Sequence, residues 1–274
     1  MRRITAIFLL ATFLVSSSAA LAQKQSADPI KNPKRAHEGW KLVWADEFNG
    51  KKLDTDSWER CPRNTADWGR HMSYLDTLVQ VEDGVLKLYG INRPDEVKDN
   101  VPYLTGGVQS RNRRSLQLGR VDVRARFDCG QGFWPAIWLM PDIRVPWATG
   151  GEIDIMEHVG YHPNYVSSSI HCQAYYHSIG TQKTHELFLK TAQTEFHTYA
   201  CEWTEDYINF YFDGELHFTF NNDHTNNYDT WPFYNPFYLK LNLAWGGNWG
   251  GAMGLDESCL PATYEIDYVR VFKK

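Results

Sequence analysis

From Trp40 onward the chain consists of short apolar runs broken by Gly, Asp and Asn. Val79-Gln80-Val81-Glu82 and Val85-Leu86-Lys87-Leu88 alternate on either side of Asp83-Gly84, a strong two-residue hairpin signal. Residues 207–212 and 216–220 repeat the pattern around Asp213-Gly214. Residues 120–127 (RVDVRARF) alternate cleanly, and 136–140 and 166–172 read as buried strands. Leu42-Val43-Trp44 opens the series, and 237–243 and 264–272 close it. Long helical periodicity is missing; only 182–192 reads as a short, weak helix. Many short strands with tight turns predict an all-β chain of two antiparallel sheets packed face to face.

One run breaks its own rhythm. In Glu152-Ile153-Asp154-Ile155-Met156-Glu157, acids alternate with apolar residues and then slip. A regular strand points residues five apart in opposite directions, so Glu152 and Glu157 would be splayed. One extra residue, most simply Met156, would form a β-bulge and bring Glu152, Asp154 and Glu157 onto one face. The outer Cα atoms would then lie within roughly 16 Å, which two inward-leaning Glu side chains can largely close. Retaining glycosidases hold their carboxyls about 5–5.5 Å apart. The competing reading is an ordinary solvated strand face.

Composition narrows the picture. The first 22 of 274 residues have the pattern of a secretory signal: Arg2 and Arg3, an apolar run from Ile4 to Val15, and Ala20-Leu21-Ala22 before Gln23. The run is short for a membrane span. Export to the periplasm or medium is therefore expected. Residues 23–38 read as a polar, flexible leader, and 39–274 as a single domain. The net charge is −5; without Arg2 and Arg3 it is −7, which argues against nucleic acid or an anionic membrane as partner. Eleven Trp exceed what packing usually needs, and flat amphipathic rings suit sugars. Cysteines 61, 129, 172, 201 and 259 show no zinc-ligand spacing. In an exported chain one or two disulfides are expected, the odd count leaving a thiol over.

The motifs WADEFNG, GRVDVRARF, GFWPAIWLMP, EIDIME, FHTYACEWTEDYINFYFDG, NLAWGGNWGG and YEIDYVRVF, in this order, resemble the laminarinase-like and mixed-linkage β-glucanase branch of glycoside hydrolase family 16. The resemblance implies a β-jelly-roll sandwich with a concave substrate cleft. It also implies retaining endo-hydrolysis of β-linked glucans or galactans, with Glu152 as nucleophile, Glu157 as acid/base and Asp154 between them. No catalytic cofactor is implied. The expected partner is β-1,3- or mixed β-1,3-1,4-glucan, and the expected state is a monomer.

Further residues match sugar-facing family positions: Trp134 and Trp138, four apart and co-facial; Gln109 and Arg111, two apart; His171; and Asn242 and Trp245. Each has a plainer alternative in core packing or a surface ion pair. Laminarinase-like members often carry Asn just before the V-x-V-x-DG hairpin; here Leu78 stands there, with His71 and Tyr74 as candidate substitutes. Glu47, the Gly84 carbonyl and Asp267 match the ligands of a structural Ca²⁺ in relatives, and oxygen donors suit calcium. A zinc site at Glu157, His158 and His162 is disfavoured, because Gly160 and Pro163 discourage a helix and the HExxH order is absent. The rivals are a galactan hydrolase and a non-catalytic jelly-roll lectin. A lectin has no need for clustered carboxylates, and a sulfated galactan would favour a basic cleft.

Overall fold

Strand Phe237–Trp245 sets the geometry of the interior. Phe237, Leu239, Leu241, Leu243 and Trp245 point into the core, and Tyr238, Lys240, Asn242 and Ala244 point the other way. All nine residues are nevertheless buried. Two-sided burial means that the polar face is also covered, as the floor of a cleft would be.

The computed structural model describes residues 39–274. The expected signal (1–22) and leader (23–38) lie outside the described residues. The described strands form two antiparallel sheets. One runs Glu215–Asn221, Tyr207–Phe212, His197–Trp203, Gly119–Asp128, Ala262–Lys273, Val85–Asn92, Val79–Glu82, with Lys41–Asp46 and Tyr103–Thr105 joined to its side. The other runs Lys183–Phe188, Tyr165–His171, Glu152–Glu157, Phe133–Pro141, Phe237–Trp245, Gly107–Gln109, Glu59–Arg60, with Ser115–Leu116 paired to Phe237–Trp245. Their inner faces share one apolar core containing Ile137, Leu139, Ile153, Val123, Phe127, Phe210 and Ile266. Among the described residues no helix is long and apolar enough to cross a membrane.

Both expected hairpins form, with Asp83, Gly84, Asp213 and Gly214 all at positive φ, as tight primed turns require. The expected helix over 182–192 does not form. Lys183–Phe188 is instead an exposed edge strand on Tyr165–His171; sheet pairing overrides a weak local preference. The expected disulfides do not form either. All five thiols are unpaired, and Cys61, Cys129, Cys172 and Cys201 are buried.

Candidate active site

The slip in EIDIME is a bulge, one residue earlier than expected. Against Phe133–Pro141, Asp154 faces Trp138 and Met156 faces Ile137, so Ile155 is the residue without a partner. Met156 keeps its place in the ladder. Ile155 and Met156 both enter the core, and this double inward step is what the apolar pair favours. The Ser168 hydroxyl donates to the Ile155 carbonyl at 2.8 Å, satisfying the group that the bulge removes from the ladder. Beyond the bulge Glu157 shares the outer face with Glu152 and Asp154.

That face is largely covered and crowded with acid. Asp154 is 2% and Glu157 8% exposed, and Glu152 is half-buried. Burial raises all three carboxyls, but unequally. Glu152 is pushed up to about 7, held there by a 2.8 Å hydrogen bond from the Trp147 indole and by the charge of Lys240. Glu157 is pushed to about 8 by burial and then by the negative charge of Glu152, against a 3.1 Å hydrogen bond from the Trp134 indole. Asp154 is raised well above its usual range by burial, then by Glu157 and Glu152. His171 Nε2 lies 3.4 Å from Asp154 Oδ2. Burial and then His177 lower the imidazole to about 4, so this contact is not an ion pair near neutral pH. Polar atoms of Glu152, Asp154 and His171 lie within 4.8 Å of one another.

Strand pairing assembles the surroundings. Glu59, Gln109, Lys240, Trp138, Asp154 and Ser169 lie in one row across six strands. Trp138 is buried and donates to Asn242 Oδ1 at 2.7 Å, so it holds Asn242 rather than offering a free face. Trp134 is partly open and packs edge-on against Trp249. Gln109 donates to Glu59 at 2.6 Å, and the Arg111 guanidinium lies 5.4 Å from the Tyr238 ring centroid. Asp154 Oδ2, His171 Nδ1 and Asn242 Nδ2 are buried without a hydrogen-bond partner. Buried polar atoms are rarely left so in a finished interior, and here they converge on one face.

Several expectations need correction. Trp245 does not face the cleft; it is 1% exposed and packs in the core on Phe133 and Tyr103. It lies three residues from Asn242, so strand parity sends it to the opposite face. Leu78 is also core, fully buried beneath Gly106. His71 is tied to the Tyr103 carbonyl, and Tyr74 is exposed. His158 stacks on Phe127 and bonds the Tyr165 carbonyl, away from any zinc set. Sequence reasoning missed Trp147, Trp68, Trp249 and Lys240. The alternation Tyr238-Lys240-Asn242 was a readable signal for Lys240; Trp147 arrives on a loop and Trp68 and Trp249 on two short helical turns, where periodicity says nothing.

The implied calcium ligands do not fit that role as arranged. Glu47 takes a forked pair of hydrogen bonds from Arg270 at 2.8 and 3.0 Å. Asp267 accepts from Arg124 at 2.6 Å. Each carboxylate is already neutralised by a guanidinium, and Gly84 is an apex of its own hairpin.

The family model for Glycosyl hydrolases family 16 matches residues 71–270. The beta-glucanase of Rhodothermus marinus is 38% identical over 85% of this chain and 85% of its own length. Glucan endo-1,3-beta-glucosidase A1 of Niallia circulans is 35% identical over 86% of this chain, which spans 38% of that longer protein. The solved structure of the Rhodothermus marinus laminarinase superposes with a TM-score of 0.80 at 37% identity, covering 85% of this chain and 97% of that one. In sequence, in sheet architecture and in the bulged acidic strand, this chain belongs to glycosyl hydrolase family 16.

Proposed function

We propose that the protein is a retaining endo-β-glucanase acting on β-1,3- or mixed β-1,3-1,4-glucan. The observation that carries this reading is the bulge at Ile155, which puts the buried Asp154 and Glu157 and the half-buried Glu152 on one covered sheet face. Glu152 attacks the anomeric carbon while Glu157 protonates the glycosidic oxygen; a bond to Glu152 forms as the bond to the leaving sugar breaks. Glu157, now ionised, takes a proton from water, whose oxygen displaces Glu152 and regenerates both groups.

The unequal environments suit these roles. The Trp147 hydrogen bond and the Lys240 charge favour ionised Glu152, and that ionised neighbour keeps Glu157 protonated. Burial and its acidic neighbours raise the Asp154 carboxyl, and in its protonated form it can donate to Glu152 and orient it. The names of the relatives, a beta-glucanase and a glucan endo-1,3-beta-glucosidase, support a glucan substrate. The signal-like first 22 residues support export.

Reducing-end release from laminarin and barley β-glucan tests the reading. Glu152→Gln and Glu157→Gln are expected to lose about 10²–10⁴-fold in kcat with unchanged circular dichroism. Near-normal turnover by either variant would overturn the assignment.

A further inference from the structure

The bulge in the acidic strand has a counterpart in the opposite sheet. Where Tyr207–Phe212 pairs with Glu215–Asn221, Phe210 faces Phe218 and Tyr211 faces Leu216, so His217 is the extra residue, without a cross-strand partner. The two irregularities meet at Ser168. Asp154 stands opposite Ser169 and Glu157 opposite Ser167, so Ser168 alone spans Ile155 and Met156. Val166 and Ile170 lie in the core, and strand parity puts Ser168 on their face, so its hydroxyl points between the sheets. Ser168 is 2% exposed. It donates to the Ile155 carbonyl at 2.8 Å, and its oxygen lies 3.2 Å from His217 Nε2.

Ser168 has a single hydroxyl hydrogen, and the Ile155 carbonyl takes it, so the oxygen accepts in the second contact. His217 is neutral near neutral pH, because burial and then the neighbouring His185 lower it to about 4. Its one ring N–H therefore sits on Nε2, which leaves Nδ1 as a bare acceptor. Nδ1 is buried and has no hydrogen-bond partner. The order is thus His217 N–H to Ser168 O–H to Ile155 C=O, with both links directed at the bulge. Hydrogen bonds aligned head to tail strengthen one another.

Packing alone does not account for this imidazole. A buried ring with an orphaned nitrogen loses solvation that an apolar side chain of similar size would not. What the ring supplies, and an apolar group cannot, is a donor that fixes the rotation of the Ser168 hydroxyl. A serine hydroxyl otherwise rotates among partners and can turn to its own backbone. Held by His217, it stays aimed at the carbonyl that the bulge removes from the ladder. That carbonyl lies between Asp154 and Glu157 along the chain, so its direction sets how Glu157 stands relative to Glu152. A retaining pair works at a separation of about 5–5.5 Å, and a misplacement of about 1 Å can lower a rate roughly 10²-fold.

We propose that His217, on the edge strand of the opposite sheet, is a positioning residue for hydrolysis: through Ser168 it holds the bulge that aligns Glu157 with Glu152. It lies between the sheets, away from the cleft face, and acts only through another side chain. This rests on the hydrolase reading of the cleft and adds to it a residue from the other sheet.

The test compares His217→Leu, His217→Gln, Ser168→Ala and the double variant carrying both Ser168→Ala and His217→Leu on laminarin, with circular dichroism of each. Gln can place an N–H where Nε2 stands, whereas Leu fills the space without a donor. His217→Leu is expected to lose at least about fivefold in kcat, with KM within about twofold because the sugar contacts are untouched. His217→Gln should recover most of that loss. In the Ser168→Ala background, His217→Leu should lower kcat by less than about twofold further, since residues acting in one chain are not additive. Wild-type kcat in a folded His217→Leu overturns the proposal. So does an equal loss in the Leu and Gln variants, or losses that multiply in the double variant, because each marks a packing role. Should His217→Leu fail to fold, His217→Gln and His217→Asn decide: the Asn amide is too short to reach Ser168, so a kcat retained by Gln and reduced in Asn supports the role, and equal values overturn it. If the wild type leaves both laminarin and barley β-glucan untouched, the hydrolase reading fails and the positioning role falls with it.

Discussion

At the scale of single residues, catalysis turns on a difference between two similar side chains. Glu152 and Glu157 are both raised by burial, but Glu152 alone has Lys240's charge in its favour, and Glu157 alone is raised by its neighbour. Activity requires ionised Glu152 and protonated Glu157. It should therefore rise with pH through about 7 and fall through about 8, with a narrow optimum at neutral to mildly alkaline pH. A pH profile of kcat/KM on laminarin checks this, and an optimum near pH 5 would contradict it. Lys240→Met removes a charge that favours ionised Glu152, so its acidic limb should move upward while the alkaline limb stays. Trp138 stands opposite Asp154 and Lys240 on the sheet face, but it serves to fix Asn242.

At the scale of elements, the acidic strand works because it is irregular. A straight strand would place Glu157 in the core, where nothing could satisfy it. Exit of the Ile155 carbonyl from the ladder is compensated by Ser168 at 2.8 Å, and that hydroxyl also touches His217 at 3.2 Å. Ser168→Ala leaves the buried carbonyl unpaired, at a cost of about 1–3 kcal/mol. Chemical denaturation should show that loss, together with a drop in kcat larger than any change in KM, because the bulge sets the spacing of the carboxyls. An unchanged denaturation midpoint would mean that the bulge needs no such support. Edge strand Lys183–Phe188 shows the same dominance of pairing over local preference, since a segment with weak helical character is extended wherever a sheet edge is available.

At the scale of the molecule, the buried acids tie stability to pH. A carboxyl whose folded pKa is raised supports the fold below its ordinary value near 4.5 and withdraws that support as pH rises through the folded value. For Glu152 and Glu157 that window runs from about 4.5 to about 8. The melting temperature should fall across it, and Glu157→Gln should melt higher than the wild type at pH 8.5, by roughly 3 °C or more, with little difference at pH 4. An equal gap at both pH values would point to packing rather than ionisation. Glu47 and Asp267 are each held by an arginine, so EDTA should leave the melting temperature within about 1 °C, since only a ligand bound to the native state raises it. A chelator-induced drop of several degrees would show a cation where the structure puts guanidiniums.

The sheets, both hairpins and the acidic strand were legible from order alone, because alternation, turn residues and a one-residue slip are local facts that a linear pattern records. The clustering of Glu152, Asp154 and Glu157 followed from that slip. Strand parity also held the answer for Trp245, which a motif match had sent to the wrong face. What order could not supply was anything set by distant segments. The tryptophans that hydrogen-bond or pack beside the acids arrive partly on loops, and the arginines that occupy Glu47 and Asp267 lie far along the chain. Which charges meet, and which are left unpaired, depends on the packing of strands remote in sequence, and only the folded chain decides that.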